Sequence, residues 1–569
     1  MAKSVADLFY QKLVDLEVID GDNRGVLMNI DSEVILDQST INWNHRTIKN
    51  IIFREKLILR DAEISSGFLF IDCKFEKGVV FHHVNATVLD SAYNYSIAFE
   101  NCESASIVIE NSCNFAKRVL FSNKCEIGRI SVSETTVVNG GINIYNSIIS
   151  YLQIIQSEFV LNLQRSTFNK QVRIESLNGD IGLLGNEFNR DIAFWNIECP
   201  FSFSSNQNIF KEEFEISASR IKKLTLFGDH FLKKGELENR DLTGNNLETY
   251  IKEIYISETD FTQGFDFNGL GKKMERLEIK SNPELKGVLK FEGWEIDSTL
   301  ITGVNQNLKL LFKRMSFRFF MINDFTNYSD ISFDKCKGYD DSTLNLLDCD
   351  LGNTRFNEFA FNSFVALRFD NVTLDKIKPT NNKWFADDVL KIEIAEQSEE
   401  DRFKRKREIY RQLKQALKNN GNQIDSLFFQ SREMESYRNE LKESNNYSLS
   451  DKIIMTFSRF NDYGLNWIKP IIIVFFLTLF VYMIILAGIS DKILFSLSCD
   501  GGDIKNTFDV FMSNFKTFWN LFNPVRRTDL TYGNTIQTDW IYFIDLLHRI
   551  FLGIMIFQII KAFRKHVSN

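Results

Sequence analysis

Two periodicities divide the chain. Through roughly the first 380 residues, short apolar pairs recur with Asn, Ser, Asp and Gly between them. From about Glu399 the apolar positions instead repeat every three to four residues. The first pattern is clearest in STFNKQVRIES, NEFNRDIAFWN and NIFKEEFEISA, where Phe168, Phe188 and Phe210 head the units. The alternating pairs Val172/Ile174, Ile192/Phe194 and Phe214/Ile216 follow them. The heads are 20 and 22 residues apart, and Phe231 continues the series after 21. CKFEKGVVFHH, with Phe75, and CNFAKRVLFSN, with Phe115, have the same form nearer the N-terminus. Strands this short at this period leave no room for a helix in each repeat, and the LxxLxLxxN signature of leucine-rich repeats is missing. One coil of a parallel β-solenoid per repeat fits, with Phe, Val, Ile and Leu stacking inward and polar residues turning the corners. The alternative is an antiparallel sandwich. Its hairpins call for frequent Asn-Gly or Asp-Gly turns, and Asn139-Gly140 and Asn178-Gly179 are too few.

The last coils have a finer grain. In LNLLDCDLGNTRFNEFAFNSFVALRFDNVTL, Leu346, Leu351, Phe356 and Phe361 fall every five residues. Cys349, Thr354, Phe359, Phe364, Phe369 and Leu374 form a second five-residue series. A period of five fits one inward side chain on each face of a four-sided coil. Residues 344–376 therefore resemble the pentapeptide-repeat family, whose repeats centre on Leu or Phe with a small or apolar residue two positions earlier. The resemblance implies a binding surface or spacer rather than an enzyme. Some members mimic duplex DNA, but that role needs a strongly acidic face, and Lys and Arg are interspersed along this ladder. Caps are expected at both ends, over residues 1–45 and at Trp384 and Phe385, because an open apolar coil recruits other chains.

The helical region reads as a hairpin connector at 386–445. One stripe carries Phe403, Ile409, Tyr410, Leu413 and Leu417, and Asn420-Gly421 stops it. The next carries Ile424, Phe428, Met434, Tyr437 and Leu441. The basic run Arg402, Lys404, Arg405, Lys406 and Arg407 suits either anionic headgroups or a solvated face balanced by Glu399, Glu400 and Asp401. Residues 446–469 read as an interfacial helix. A first span follows at 470–489, an inter-span segment at 490–539, a second span at 540–561 and a basic tail at 562–569. The fold class expected is thus an all-β, right-handed parallel β-helix at 46–385, then an α-helical connector and a two-helix transmembrane domain.

The spans differ in chemistry. IIIVFFLTLFVYMIILAGI holds no charge, whereas WIYFIDLLHRIFLGIMIFQII carries Asp545, His548 and Arg549, with Gln558 deeper. Asp545 and Arg549 are four apart and can pair along one face. Ionised groups facing lipid cost about 2.5 kcal/mol or more, so these residues should face a protein interior or a water path. On this count one partner helix cannot shelter them, and a homo-oligomer with the second span at its centre is expected. Either they line a pore, or they only hold the oligomer together. Between the spans, Phe508, Phe511, Phe515, Phe518 or Trp519, and Phe522 form an aromatic stripe, expected as a re-entrant or interfacial helix. Two spans around such a helix is the layout of two-span ion channels. Potassium selectivity is unsupported, since only Tyr532-Gly533 stands where a Gly-Tyr-Gly filter belongs. Arg459, Lys469, Lys561, Arg564 and Lys565 are candidate lipid-headgroup contacts.

Bulk composition narrows the functional classes. The net charge of −8 offers no positive surface for nucleic acid. The eight cysteines are scattered, without a CxxC pair, as fillers in a reducing compartment rather than a metal site or disulfide framework. No phosphate loop, HExxH or GxSxG motif is present, so no catalytic, cofactor or metal residues are assigned and no enzyme is expected. The opening residues do not read as a signal peptide, and positive-inside counting slightly favours both termini in the cytoplasm. The stretch REIYRQLKQALKNNGNQIDSLFFQSREM, then SRFNDYG, a span, LFNP and DLLHRIFLGIMIFQIIKAFRK, looks like the C-terminal half of bacterial membrane proteins carrying pentapeptide-type repeats. That resemblance implies a channel-like module in the bacterial inner membrane, with a role in phage defence or stress signalling only by analogy. The expected function is an oligomeric channel or pore gated by a cytoplasmic β-helix that senses a protein or small-molecule signal. A non-conducting, membrane-anchored scaffold is the alternative.

Overall fold

The computed structural model describes residues 28–37, 40–41, 46–64, 67–87, 94–238, 250–392, 398–444, 448–489, 501–528, 531 and 539–563. The chain divides into two units, Met1–Lys391 and Ile392–Asn569.

The first unit is a parallel β-solenoid of about 15 turns. One coil illustrates how the sequence builds it. Leu161–Gln164, Thr167–Phe168 and Val172–Asn178 go round once, and Ile181–Leu184 then lies parallel on Leu161–Gln164, in register. Val172–Asn178 bends at a corner. Its first half pairs with Ile192–Trp195, and Asn178 pairs with Glu198 on the next face. Side chains alternate along each short strand, so the apolar pairs of the sequence point inward and bury completely.

The aromatic heads stack as their spacing requires. Phe188 pairs in register with Phe168 and Phe210. Its ring lies 4.9 Å from Phe168 and 5.1 Å from Phe210, nearly parallel to both. Phe231 and Phe261 extend the stack at 4.6 and 5.3 Å. In the last coils both five-residue series are buried, from Leu346 and Cys349 through Phe361 and Leu374. These coils advance by 23 residues rather than the 20 of a strict five-residue repeat, as the pairings Leu346 to Phe369 and Phe333 to Phe356 show. A short 3-10 turn at Phe361–Ser363 takes up part of that length.

Tight corners explain the polar residues between the apolar pairs. At one corner a residue in each coil adopts left-handed φ: Asp72, Asn101, Lys124, Asn146, Arg165, Gly185, Gln207, Gly228 and Glu258. Asn, Asp and Gly tolerate that conformation best. The next residue points inward, giving a column of Cys73, Cys102, Cys125, Ser147, Ser166, Asn186, Asn208, Asp229 and Thr259, all buried. The cysteine thiols donate to backbone carbonyls of the preceding coil, Cys102 Sγ to Phe70 O at 3.4 Å and Cys125 Sγ to Phe99 O at 3.3 Å. Further along, side chains take over. Asn186 Oδ1 accepts from Ser166 N, Asn208 Oδ1 from Asn186 N, and Asp229 Oδ1 from Asn208 N at 2.8 Å and Nδ2 at 3.0 Å. The seven described cysteines are free and buried. Cys499 lies outside the described residues.

The caps differ from expectation in one respect. Met28–Ile30, Val34–Asp37 and Thr40–Ile41 already pair with the next coil, so the ladder starts inside the segment assigned to the N-terminal cap. The earlier residues of that segment lie outside the described part. At the other end Trp384 stacks on Phe361 at 5.1 Å and Phe385 is buried, a lid over the last coil.

In the second unit, α1 (Glu399–Asn419) and α2 (Gln423–Glu443) form the antiparallel hairpin, each capped by a side-chain oxygen, from Ser398 and Asn422. Lys414 pairs with Glu433 and Arg407 with Glu440 across it. The α1 stripe is as expected. On α2 the buried residues are Ser426, Phe429 and Ser436, while Ile424 is exposed, so the inward face is rotated from the expected one. The basic run presents no uniform patch: Arg402 pairs with Glu399, Arg407 with Glu440, and Lys406 is buried. Beyond lie α3 (Leu449–Arg459), α4 (Ile468–Ile489), α5 (Gly501–Ser513), α6 (Phe515–Leu521) and α7 (Asp539–Phe563). Helices α4 and α7 are long and apolar enough to cross a membrane.

Phe188→Ala removes one ring from a continuous stack and should cost about 3–5 kcal/mol. The expected outcome is a lowered midpoint of thermal unfolding and loss of protease resistance across several coils. An unchanged melting curve contradicts the register. Asp229 supplies a second test. Its Oδ2 is buried without a partner, and burial pushes the carboxyl from 3.8 up to about 7. The folded chain then binds this proton more tightly than the unfolded one. The associated stability is complete below about pH 4 and is lost as pH rises to about 7. Asp229→Asn keeps the hydrogen-bonding shape and cannot ionise, so it should unfold at a higher temperature than wild type at pH 8, with the gap closing toward pH 4.

Candidate functional site

The candidate site lies between α4 and α7. The helices pack antiparallel, with Val474 beside Leu552 and Met555, and Tyr482, Ile485 and Leu486 near Ile541. Phe518 and Leu521 of α6 complete that second cluster, and Tyr482 donates to Phe511 O at 2.8 Å. The expected aromatic stripe is thus split at Asn514 into two helices. Phe511, Phe515, Phe518 and Phe522 pack inward, whereas Phe508 and Trp519 are exposed. Phe518, not Trp519, is the buried choice. Phe522 reaches furthest, touching the cluster of Val474, Leu552 and Met555. Val474 is six residues into α4, about 9 Å from its start at about 1.5 Å per residue. The inter-span segment therefore runs back along the two helices for more than half their length.

It turns there, at Asn523-Pro524, and brings in Arg526. That side chain is 5% exposed, and Asp545 and His548 are 1% and 2%. Arg526 Nε donates to Asp545 Oδ1 at 3.0 Å, and its Nη2 also contacts that oxygen. Arg526 Nη1 donates to Leu521 O at 2.8 Å, tying the guanidinium to the turn that presents it. Arg549 Nη2 lies 2.6 Å from Asp545 Oδ2, the expected pair four residues apart. One carboxylate is shared by two guanidinium groups.

His548 faces Arg526 and Thr478 rather than Arg549. Arg526 Nη2 is 3.2 Å from His548 Nδ1, and Thr478 Oγ1 is 3.1 Å from His548 Nε2. A guanidinium can only donate, so Nδ1 accepts and Nε2 carries the hydrogen given to Thr478. The imidazole is then a neutral link between Arg526 and α4. Gln558 is buried two to three turns beyond, its Oε1 without a hydrogen-bond partner. Its backbone carbonyl accepts from Asn461 Nδ2 at 3.0 Å.

Asn461 belongs to a turn that ties α2 to α7. Tyr463 Oη donates to Glu435 Oε2 of α2 at 2.7 Å, Ser431 Oγ donates to Asp462 O, and Asn461 reaches α7. Asp462 and Tyr463 both hold left-handed φ, 49° and 58°. Of the candidate headgroup contacts, Arg459 and Lys561 are exposed, and Lys469 pairs with Asp462 at 2.6 Å. Trp467 lies 5.2 Å from Phe563, so these cations share one end of the helix pair. Arg564 and Lys565 lie outside the described residues, as does Tyr532-Gly533.

One correction follows. Asp545 and His548 do not require several chains for shelter, while Arg549, the third ionisable residue of the span, keeps a side chain 24% exposed. The count of one partner helix left out the inter-span segment, which folds back and supplies the counter-charge. Asp545 and His548 do not point away from the chain's own core, so of the span's ionisable groups only Arg549 reaches an outer face. Arg526 carries the site and was absent from the candidate residues. In the sequence it stands as one of five basic residues between the spans. The signal available was its place just after an aromatic helix ending in Asn-Pro. Among the described residues no cluster of His, Cys, Asp or Glu is placed to hold a metal ion. No protein-family profile matches the chain, and neither a curated protein nor a solved structure matches it.

Removing one member of a buried ion pair leaves the other charge uncompensated, at a cost of about 3–5 kcal/mol. Arg526→Met and Asp545→Leu should each lower the thermal stability of the detergent-solubilised protein, Asp545→Leu more because it strands two cations. The double variant should recover much of the loss of the worse single. Additive losses contradict the pairing.

Proposed function

We propose that the C-terminal unit is a membrane channel module whose path is built around the fold-back segment between α4 and α7, regulated by the β-solenoid. The observation that supports it is the position of Arg526. A pair of spans that only anchors a protein needs no ionised group at this depth. Placing Arg526, Asp545 and Arg549 there costs desolvation energy that an apolar seam avoids. Two long helices with an aromatic helical segment folded back between them is an arrangement suited to a pore. The path itself would form between copies of the chain, with the fold-back turns at its centre.

Regulation in this reading runs through the turn at Asn461–Tyr463. Displacement of α2 acts on Tyr463 through Glu435, and on α7 through Asn461 and the Gln558 carbonyl. The solenoid would present its faces to a protein or small-molecule signal. The setting is the bacterial inner membrane with the solenoid cytoplasmic, in a stress or defence response, on the resemblance alone.

A non-conducting scaffold has one observation in its favour: the charged node closes within a single chain. Planar bilayers separate the two. Purified protein should give discrete conductance steps, and Tyr463→Phe, which removes the contact to Glu435, should change open probability without changing step size. Electrical silence of a confirmed oligomer in both polarities, over a broad pH range, favours the scaffold.

A further inference from the structure

The fold-back turn has an outer side as well as an inner one. Arg526 points into the chain, while the neighbouring Arg527 is exposed, with Asn523 and Val525, the latter 84% exposed. Arg527 makes no ion pair among the described residues. Its Cα is one residue from Arg526, whose guanidinium touches Asp545 and His548, and five from Phe522, which packs at Val474 and Leu552. An exposed guanidinium at that depth is costly against lipid, by about 2.5 kcal/mol or more. It needs water or another copy of the chain.

The local charge balance has a definite sign. Helix α4 carries no charged residue from Ile471 to Ile489, and α7 carries only Asp545 and Arg549 from Trp540 to Ile560. The turn adds Arg526 and Arg527, and Asp529 follows two residues on in the sequence. Two carboxylates therefore stand against three guanidinium groups, a net positive balance, and Arg527 is the most exposed of the three. Resting on the channel reading above, we propose that the path selects small inorganic anions, with Arg527 of each copy meeting the permeating ion. A ring of exposed arginines lowers the energy of an anion at the constriction and raises that of a cation. Arg526 and Arg549 add to the same field from behind, partly offset by Asp545. His548, held neutral between Arg526 and Thr478, adds no charge.

The test is the reversal potential of purified full-length protein in planar bilayers under asymmetric potassium chloride. Wild type should reverse on the chloride side of zero. Arg527→Lys should keep that sign, and Arg527→Glu should move it toward the potassium side. Size-exclusion profiles and melting temperatures for each variant guard against misfolding, which Arg527 at an exposed position is not expected to cause. A wild-type channel that reverses on the potassium side overturns the anion assignment and leaves the channel reading standing. Conduction by folded Arg527→Glu with an unchanged reversal potential overturns the role of Arg527. Absence of any conductance in wild type overturns the channel reading, and this inference with it.

Discussion

A polar group taken out of water must find its partner inside the chain, and that constraint organises both units. In the solenoid it sets the corners. Coil-to-coil pairing satisfies the strand backbone, but the corner that runs from Asp72 to Glu258 leaves inward backbone groups that the apolar stack does not serve. The column from Cys73 to Thr259 supplies them, first with thiols, then with hydroxyls, then with amides that bridge neighbouring coils. Asp229 stands near the end of that series, where an acid replaces an amide and one oxygen is left over. In the second unit the same constraint is met by folding. Asp545 lies on a largely apolar helix, and the segment before it delivers a second guanidinium beside that of Arg549. Arg526 adds to the aromatic packing of Phe518 and Phe522 in holding the fold-back, and to Thr478 in orienting His548.

The two units differ in how their contacts are distributed, and this bears on regulation. Each solenoid coil touches only its neighbours, so stability is spread along the stack and a local change reaches further coils only through the interfaces between them. Beyond the ion pairs of the α1–α2 hairpin, the helical unit has polar contacts between distant elements at the node at Asp545 and at the turn at Asn461–Tyr463. The turn holds two successive non-glycine residues in left-handed conformation, a strain of about 1–3 kcal/mol each. Contacts to α2 and α7 hold it in place. In the proposed function, this junction is where a displacement of α2 would reach α7.

Much of this architecture can be read from residue order. The 20–22-residue Phe spacing identifies the coils because identical side chains in successive coils must stack, and Phe188 lies on Phe210 as that spacing demands. The five-residue grain of Leu346–Leu374 likewise follows from four inward positions per coil. The aromatic lid at Trp384 and the helical hairpin were legible for similar reasons, since local period and end signals determine them. The orientation of α2 was not, because its sequence carries apolar residues on more than one face and packing against Tyr410 selects Phe429. The candidate site was half legible. Asp545 and Arg549 share a helix, so their pairing is a matter of spacing. Arg526 is 19 residues away along the chain, and no local pattern encodes that contact. That spacing already gives Asp545 a partner in Arg549, and nothing in the sequence calls for a second cation.

The account stands on the depth to which the inter-span segment folds back. A spin label at Val525, the exposed tip of the turn, measures it in liposomes through access to oxygen and to a water-soluble nickel chelate. Labels at Phe476 and Phe480, on the exposed side of α4, give the lipid-facing reference. The account predicts that the label at Val525 is shielded from bulk headgroup solvent yet open to the chelate through a water path, while Phe476 and Phe480 see oxygen and little chelate. A label at Val525 with the accessibility of a residue at the outer membrane surface contradicts it.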